Sequence, residues 1–272
     1  MKIENVTIGS DPEFFLKNNT TDEIISAEGL IGGNKEDPKI ITGVGHAIQE
    51  DNIMVEFNIP PNITAEGFSD DLLFVINYID NMLPNHIVPT TEAAAEINSV
   101  YLQTPQAKRF GCDPDYNAWT AEVNSSPDVE SNIRTCGGHI HIGYNNPEIE
   151  KSVDIIKAMD LFLGVPSILM DKDTLRRSRY GKAGAFRFKP YGVEYRVLSN
   201  FFIFEDNLRK WAFKNSLSAI RFLNEGNIIN EELSNRIVNT INNCDKKEAL
   251  KLIKEFNITI VNTEKIEKYE NK

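Results

Sequence analysis

The sequence predicts an α+β fold built on an antiparallel sheet. Strand-like runs up to Ile59 are joined by short polar turns, helical patterns separate the later strand-like runs, and the last third of the chain reads as helix alone. Alternating βαβ units, the mark of a parallel sheet, do not occur.

Val6 to Leu16 reads as a first strand, turning at Asn18-Asn19 into a returning strand from Glu23 to Ala27. Ile40 to Gln49 and Ile53 to Ile59 flank Glu50-Asp51-Asn52, a polar connection that suits a hairpin, and Pro60-Pro61 closes it. From Thr64 onward Phe68, Leu72, Leu73, Ile76, Ile79 and Leu83 recur at helical spacing, with Thr64 as N-cap and Pro84 as stop. This helix is expected to cover the apolar face of the sheet. A less regular stretch from Thr90 to Asp115 precedes two more expected strands, Ala118 to Asn124 and Gly138 to Tyr144. Glu148 to Asp171 reads as a helix kinked near Pro166, which lacks a backbone donor. A strand pair bent at Pro190-Tyr191-Gly192 follows, then helices over Glu205 to Leu223, Glu231 to Ile241 and Lys246 to Phe256, and a frayed end from Thr263 to Lys272. The expected organisation is one domain over residues 1–204 with a helical extension, 205–272, packed on it.

A chain of 272 residues with 41% hydrophobic content can bury a large core without disulfides. The formal net charge of −11 argues against a general nucleic-acid or anionic-membrane binder. Basic residues are nevertheless crowded at Arg176, Arg177, Arg179, Lys182, Arg187, Lys189 and Arg196, so an anion is expected to bind locally. Cys112, Cys136 and Cys244 are odd in number and lack a CxxC spacing, which disfavours a disulfide framework or a thiolate zinc site and fits a reducing compartment. Without an apolar leader or membrane span, the expected location is cytoplasmic.

Side chains two residues apart on a strand share a face. Asp11 and Glu13 therefore pair, as do Glu56 with Asn58 and Glu122 with Asn124; each pair suits a hard divalent cation and each also reads as a turn or a solvated strand face. In Gly137-Gly138-His139-Ile140-His141-Ile142-Gly143 both imidazoles lie on one face, framed by glycines that permit close approach, so they can ligate a metal or donate to phosphate. Arg187 and Lys189 on one strand, with Glu194 and Arg196 on the next, read either as a surface ion-pair ladder or as a holder for polyphosphate and its metal ions. Arg179-Tyr180-Gly181-Lys182-Ala183-Gly184 reads as a loop that closes over phosphates, although it lacks the Walker A pattern. Trp119, Tyr144, Tyr191 and Tyr195 are read as packing residues and Cys112 as inert.

Asp11-Pro12-Glu13, Glu56, Glu122, Gly138-His139-Ile140-His141 and Tyr191-Gly192-Val193-Glu194-Tyr195-Arg196, in this order, resemble the glutamine synthetase and glutamate-cysteine ligase superfamily. More narrowly the chain resembles the phage-type COOH-NH2 ligases, the type 2 amidoligases, over roughly Ile8 to Phe202. The resemblance implies a sheet whose concave polar face holds ATP and divalent ions, backed by helices, in a catalytic domain over 1–204. It implies one Mg²⁺ or Mn²⁺ on Asp11, His139 and Glu194 and another on Glu13, Glu56 and Glu122. Arg196 would stabilise the transferred phosphoryl group, assisted by Arg187 and Lys189, while His141, Lys182, Arg179 and Arg196 would contact ATP. The implied reaction joins a small-molecule or peptide carboxylate to an amine through an acyl phosphate, in the host cytoplasm if phage-encoded. A metal-dependent hydrolase using the His and acid cluster, and a catalytically silent nucleotide-binding protein of the same fold, are the competing readings. The acid, the amine, the number of ions and the oligomeric state are left open.

Overall fold

A computed structural model describes residues 2–108, 115–124 and 131–261. The strands are, in order, β1 (Thr7–Ser10), β2 (Glu13–Phe14), β3 (Leu16–Asn18), β4 (Glu23–Ile25), β5 (Lys39–Ile40), β6 (Ala47–Asp51), β7 (Met54–Asn62), β8 (Ile87–Pro89), β9 (Ala94–Glu96), β10 (Tyr116–Asn117), β11 (Ile133–Thr135), β12 (Ile140–Gly143), β13 (Ala185–Lys189) and β14 (Gly192–Tyr195). The helices are α1 (Ala65–Met82), α2 (Ile149–Met159), α3 (Val165–Met170), α4 (Leu175–Arg179), α5 (Asp206–Asn224), α6 (Glu231–Asn242) and α7 (Lys246–Glu255). The fold is α+β. A nine-stranded sheet runs β10-β13-β14-β12-β1-β7-β6-β5, with β2 also paired to β7, and its ladders are antiparallel. Small sheets β4-β3-β8 and β11-β9 flank it.

Alternation along the strands creates the two faces. Ile8, Val55, Phe57, Ile140, Ile142, Val193 and Tyr195 turn to one side, where Phe68, Leu72, Val75 and Ile79 of α1, Ile155 and Ile156 of α2 and Phe213 of α5 complete one apolar cluster. Helix α1 starts where expected, with Gly67 N donating to Thr64 Oγ1, and lies on β7 and α5; Leu73 is on its exposed side. Helices α6 and α7 pack on α3, and the Trp211 indole of α5 donates to Thr259 O. Among the described residues no helix is long and apolar enough to cross a membrane.

Several expectations are corrected. The first expected strand is three strands: it breaks at Asp11-Pro12, where proline has no ladder donor, after the pairing of β1 with β7 has shifted register between Ile8 and Ser10, and Leu16 belongs to another sheet. Strand β7 passes through Pro60-Pro61 to Asn62, because this same irregular register asks less of the proline nitrogens. The segment Ile40 to Gln49 is interrupted by a loop after Ile40 containing Gly45 at φ +113°. Ala118 to Asn124 is a turn instead of a strand: the Asn117 side chain accepts from Trp119 N and Thr120 N, and only Val123 keeps an isolated bridge to Tyr116. The irregular stretch after Thr90 holds β9 and a short 3₁₀ turn, Ser99–Leu102. Thr263 to Lys272 and Cys112 lie outside the described residues.

The expected bend near Pro166 is a π-helical turn, Asp160–Gly164, between α2 and α3. Pro166 cannot donate to Phe162 O, and that carbonyl accepts instead from Asn215 Nδ2 at 2.8 Å. The widened turn aims buried Asp160 at the back of the sheet, where it accepts from Trp119 Nε1 at 2.7 Å and the Tyr195 hydroxyl at 2.8 Å. Burial pushes its carboxyl up to about 7 against these donors. Tyr195 follows Glu194 in β14, so this clamp fixes the strand from behind. Asp160→Ala strands both donors in the core and is expected to cost about 3 kcal/mol of unfolding free energy, read from the urea midpoint.

Candidate active site on the polar face of the sheet

Register places the polar side chains in rows. Arg187 of β13 is opposite Glu194 of β14, which is opposite His141 of β12, which is opposite Gly9 of β1. Two-residue steps from this row bring Lys189, Arg196, His139 and Asp11 to the same face. Beside it, Glu13 of β2 is opposite Glu56 of β7, which is opposite Gln49 of β6, and Asp51 lies two residues beyond Gln49.

The first group centres on Glu194, which has no exposed surface. The Arg196 guanidinium donates to its Oε1, Lys189 Nζ is 2.7 Å from Oε2, and Arg187 Nη1 is 4.0 Å from Oε1. Asp11 Oδ1 lies 2.9 Å from His141 Nε2 and 3.4 Å from His139 Nδ1, and His139 Nδ1 is 3.6 Å from Glu194 Oε1. Asp11, His141 and Glu194 each present a ligand atom within 4.8 Å of the others. Burial and the Asp11 charge push the Glu194 carboxyl upward, but Arg196 and the two imidazoles win and hold it near 2. Asp11 is also held well below the usual carboxylate range, its burial outweighed by His141 and His139. Burial and the neighbouring Arg196 lower His139 to about 4, so its imidazole is neutral.

Glycine makes this packing possible. A Cβ on Gly137 would occupy the His139 ring, and one on Gly138 would collide with Ser199 O. Gly137 N donates to Glu13 Oε2 at 2.7 Å, and Glu13 N donates back to Gly137 O at 2.8 Å, joining the histidine strand to the second group.

In that second group Glu13, Asp51 and Glu56 present ligand atoms within 4.8 Å of one another. Burial and the Asp51 charge raise Glu13 to about 7; burial with Asp11, Glu13 and Asp51 raises Glu56 well above its ordinary value; burial raises Asp51 as well. Gln49 Nε2 donates to Glu56 Oε2 at 2.9 Å.

The structure thus brings Asp11, Glu13, Glu56, His139, His141, Arg187, Lys189, Glu194 and Arg196 onto one face. Glu122 is a correction: it is exposed, carried away by the Asn117 turn, and belongs to neither group. Arg179 and Lys182 are exposed on and after α4, whereas their neighbours Arg176 and Arg177 are buried. Arg176 donates to Val197 O at 2.9 Å and Arg196 O at 3.3 Å, bracing the chain beyond β14. Sequence reasoning missed Asp51, read only as hairpin polarity, although its two-residue offset from Gln49 carried the signal. It also missed Tyr180, whose hydroxyl accepts from Arg196 Nε at 2.8 Å and bonds to Asp115, and Tyr191, whose hydroxyl lies 2.8 Å from His141 Nδ1.

Residues 128–271, more than half of the chain, match the family model described as Phage phiEco32-like COOH.NH2 ligase-type 2. The chain belongs to this family. Membership of the COOH.NH2 ligases makes it an enzyme type that joins a carboxylate to an amine, with those two substrate classes. The segment matching the ligase model carries His139, His141, Arg187, Lys189, Glu194 and Arg196, while Asp11, Glu13, Asp51 and Glu56 come from the N-terminal part outside it. No curated protein matches the chain.

A raised carboxyl favours the folded state only while it is protonated. Between the ordinary 4.5 and about 7, Glu13 binds protons more tightly in the folded ligase than unfolded, so its contribution to stability falls as pH rises through this window and is constant above it. The metal-free melting temperature is expected to drop from pH 5 to pH 7.5, and Glu13→Gln to flatten that slope. Glu56 and Asp51, also raised, and Asp160, near 7, contribute a residual slope of the same sign.

Proposed function

We propose that this ligase activates its carboxylate substrate with ATP. The carboxylate oxygen attacks the γ-phosphorus and ADP leaves; the amine then attacks the acyl carbon of the acyl phosphate, and phosphate leaves as the amide bond forms. The observation that supports this reading is two groups of metal-type ligand atoms side by side on a face that also carries Arg187, Lys189 and Arg196. Bringing two anions together needs fixed positive charge and positioning, which is what these residues offer.

The donor sets fit divalent ions. Asp11 Oδ1 and His141 Nε2 are buried 2.9 Å apart, Glu194 Oε2 is buried with Lys189 Nζ 2.7 Å away, and oxygen with imidazole suits Mg²⁺ or Mn²⁺. The three mutually repelling carboxylates of Glu13, Asp51 and Glu56 suit a hard cation, which would offset the repulsion. Bound there, such ions would neutralise phosphate charge. In this reading the histidines exchange their expected duties: His141 is the ligand, while His139 Nδ1, 3.3 Å from Arg196 Nη1, helps hold the guanidinium. Asp51 takes the place expected of Glu122. Arg196, tethered by Tyr180 and Glu194, faces the transferred phosphoryl group, and Arg187 and Lys189 hold phosphate or carboxylate oxygens. Arg179 and Lys182, exposed at the following loop, are positioned for the nucleotide by loop closure. The catalytic unit is taken as residues 1–204, with the later helices as its extension. The free thiols of Cys136 and Cys244 suit a reducing cytoplasm.

The test is ADP release with Mg²⁺ or Mn²⁺ across a panel of carboxylates and amines. For the pair that supports turnover, Glu194→Gln and Arg196→Ala are each expected to lower kcat at least about 100-fold. Asp51→Asn is expected to lower it about 10-fold or more, with Glu122→Gln close to wild type. Full activity in both the Glu194 and Arg196 variants, or amide formation without ADP, would overturn the proposal.

A further inference from the structure

Tyr191 sits in the two-residue turn of the β13–β14 hairpin, between the paired Lys189 and Gly192. Its backbone is held against β12: Tyr144 N donates to Tyr191 O at 3.1 Å, and a Cβ on Gly192 would collide with Ile142 O, so only glycine lets the turn approach this closely. The approach brings the Tyr191 hydroxyl to 2.8 Å from His141 Nδ1, with ring centroids 5.9 Å apart. Tyr191 is 44% exposed and lies outside the apolar cluster, so its side chain does not serve the core.

The other imidazole nitrogen, Nε2, is buried 2.9 Å from Asp11 Oδ1 and is the atom that His141 offers beside Asp11 and Glu194. An imidazole binds a metal through a nitrogen lone pair, and its second N–H is ordinarily held by an acceptor that sets tautomer and ring orientation. We propose that Tyr191 is the positioning residue for His141: Nδ1–H donates to the phenol oxygen, leaving the Nε2 lone pair aimed at a divalent cation shared with Asp11 and Glu194. The opposite arrangement, with the phenol donating to Nδ1, would place a proton on Nε2 where the ligand atoms converge. This inference rests on the reading of Asp11, His141 and Glu194 as a cation site, and is independent of nucleotide and substrate.

It is tested by titrating the full chain with Mn²⁺ alone, following affinity by calorimetry and imidazole ligation by the nitrogen coupling in the electron spin-echo spectrum. Wild type is expected to show the coupling and His141→Ala to lose it. Tyr191→Phe keeps the ring and removes the acceptor; it is expected to weaken Mn²⁺ binding about 10-fold with the metal-free melting temperature unchanged. Adding Tyr191→Phe to His141→Ala should cost nothing more, and Tyr191→Gln, which returns an acceptor, should recover part of the affinity. That last variant also supplies a reading if Tyr191→Phe folds poorly. Equal affinity in Tyr191→Phe and wild type, with His141→Ala weakened, overturns the role of Tyr191 alone. Absence of Mn²⁺ binding in wild type, or nitrogen coupling that survives in His141→Ala, overturns the cation site and the inference with it.

Discussion

A buried carboxylate is the constraint around which the polar face is arranged. Glu194 has no contact with water, and an ionised group there is tolerated only with close compensation. Arg196 supplies a direct hydrogen bond, Lys189 an ammonium at 2.7 Å, and Arg187 and the imidazoles the surrounding field. Removing the cations would leave Glu194 buried without compensation, so strands β12, β13 and β14 are held by charge on one face and by the apolar core on the other. The Asp160 clamp on Tyr195 adds a second fixed point one residue away.

The two ligand groups have opposite electrostatics. Around Asp11 and Glu194 cations and imidazoles dominate, and both carboxyls are held low. Around Glu13, Asp51 and Glu56 burial dominates, with like charges adding to it at Glu13 and Glu56, and all three are pushed up. The reciprocal backbone and side-chain bonds between Glu13 and Gly137 join these environments. They also join the family-matched part of the chain to the N-terminal strands, so Asp11, Glu13, Asp51 and Glu56 are attached to the ligase segment by sheet pairing and not by sequence proximity.

Much of the fold was legible because the signals are local. Thr64 marks the start of α1, Pro190-Tyr191 turns the cationic hairpin, and three C-terminal helices lie within a residue or two of their expected ends. The failures also have local causes that override periodicity. Alternation from Ala118 to Asn124 looks like a strand, but the Asn117 side chain captures two backbone N–H groups and curls the chain, which removes Glu122 from the face. A single Asp-Pro step splits the first strand, yet this break is what sets Asp11 and Glu13 into different groups.

The sequence by itself determined which strands have a polar face and which residue types occupy it, because side-chain direction follows from two-residue alternation and needs no partner. It also carried the glycine-framed histidines and the cationic hairpin, both inside the segment that matches the family. Only tertiary structure decided which polar residues meet. Register across the sheet set Asp51 beside Glu13 and Glu56 and His141 opposite Glu194 with His139 toward Arg196, and the close approach of the hairpin turn and of the chain after α4 brought Tyr191 and Tyr180 against their partners. Those choices depend on strand order and on the close approach of one backbone to another, and neither is encoded in the spacing of residues along a single strand.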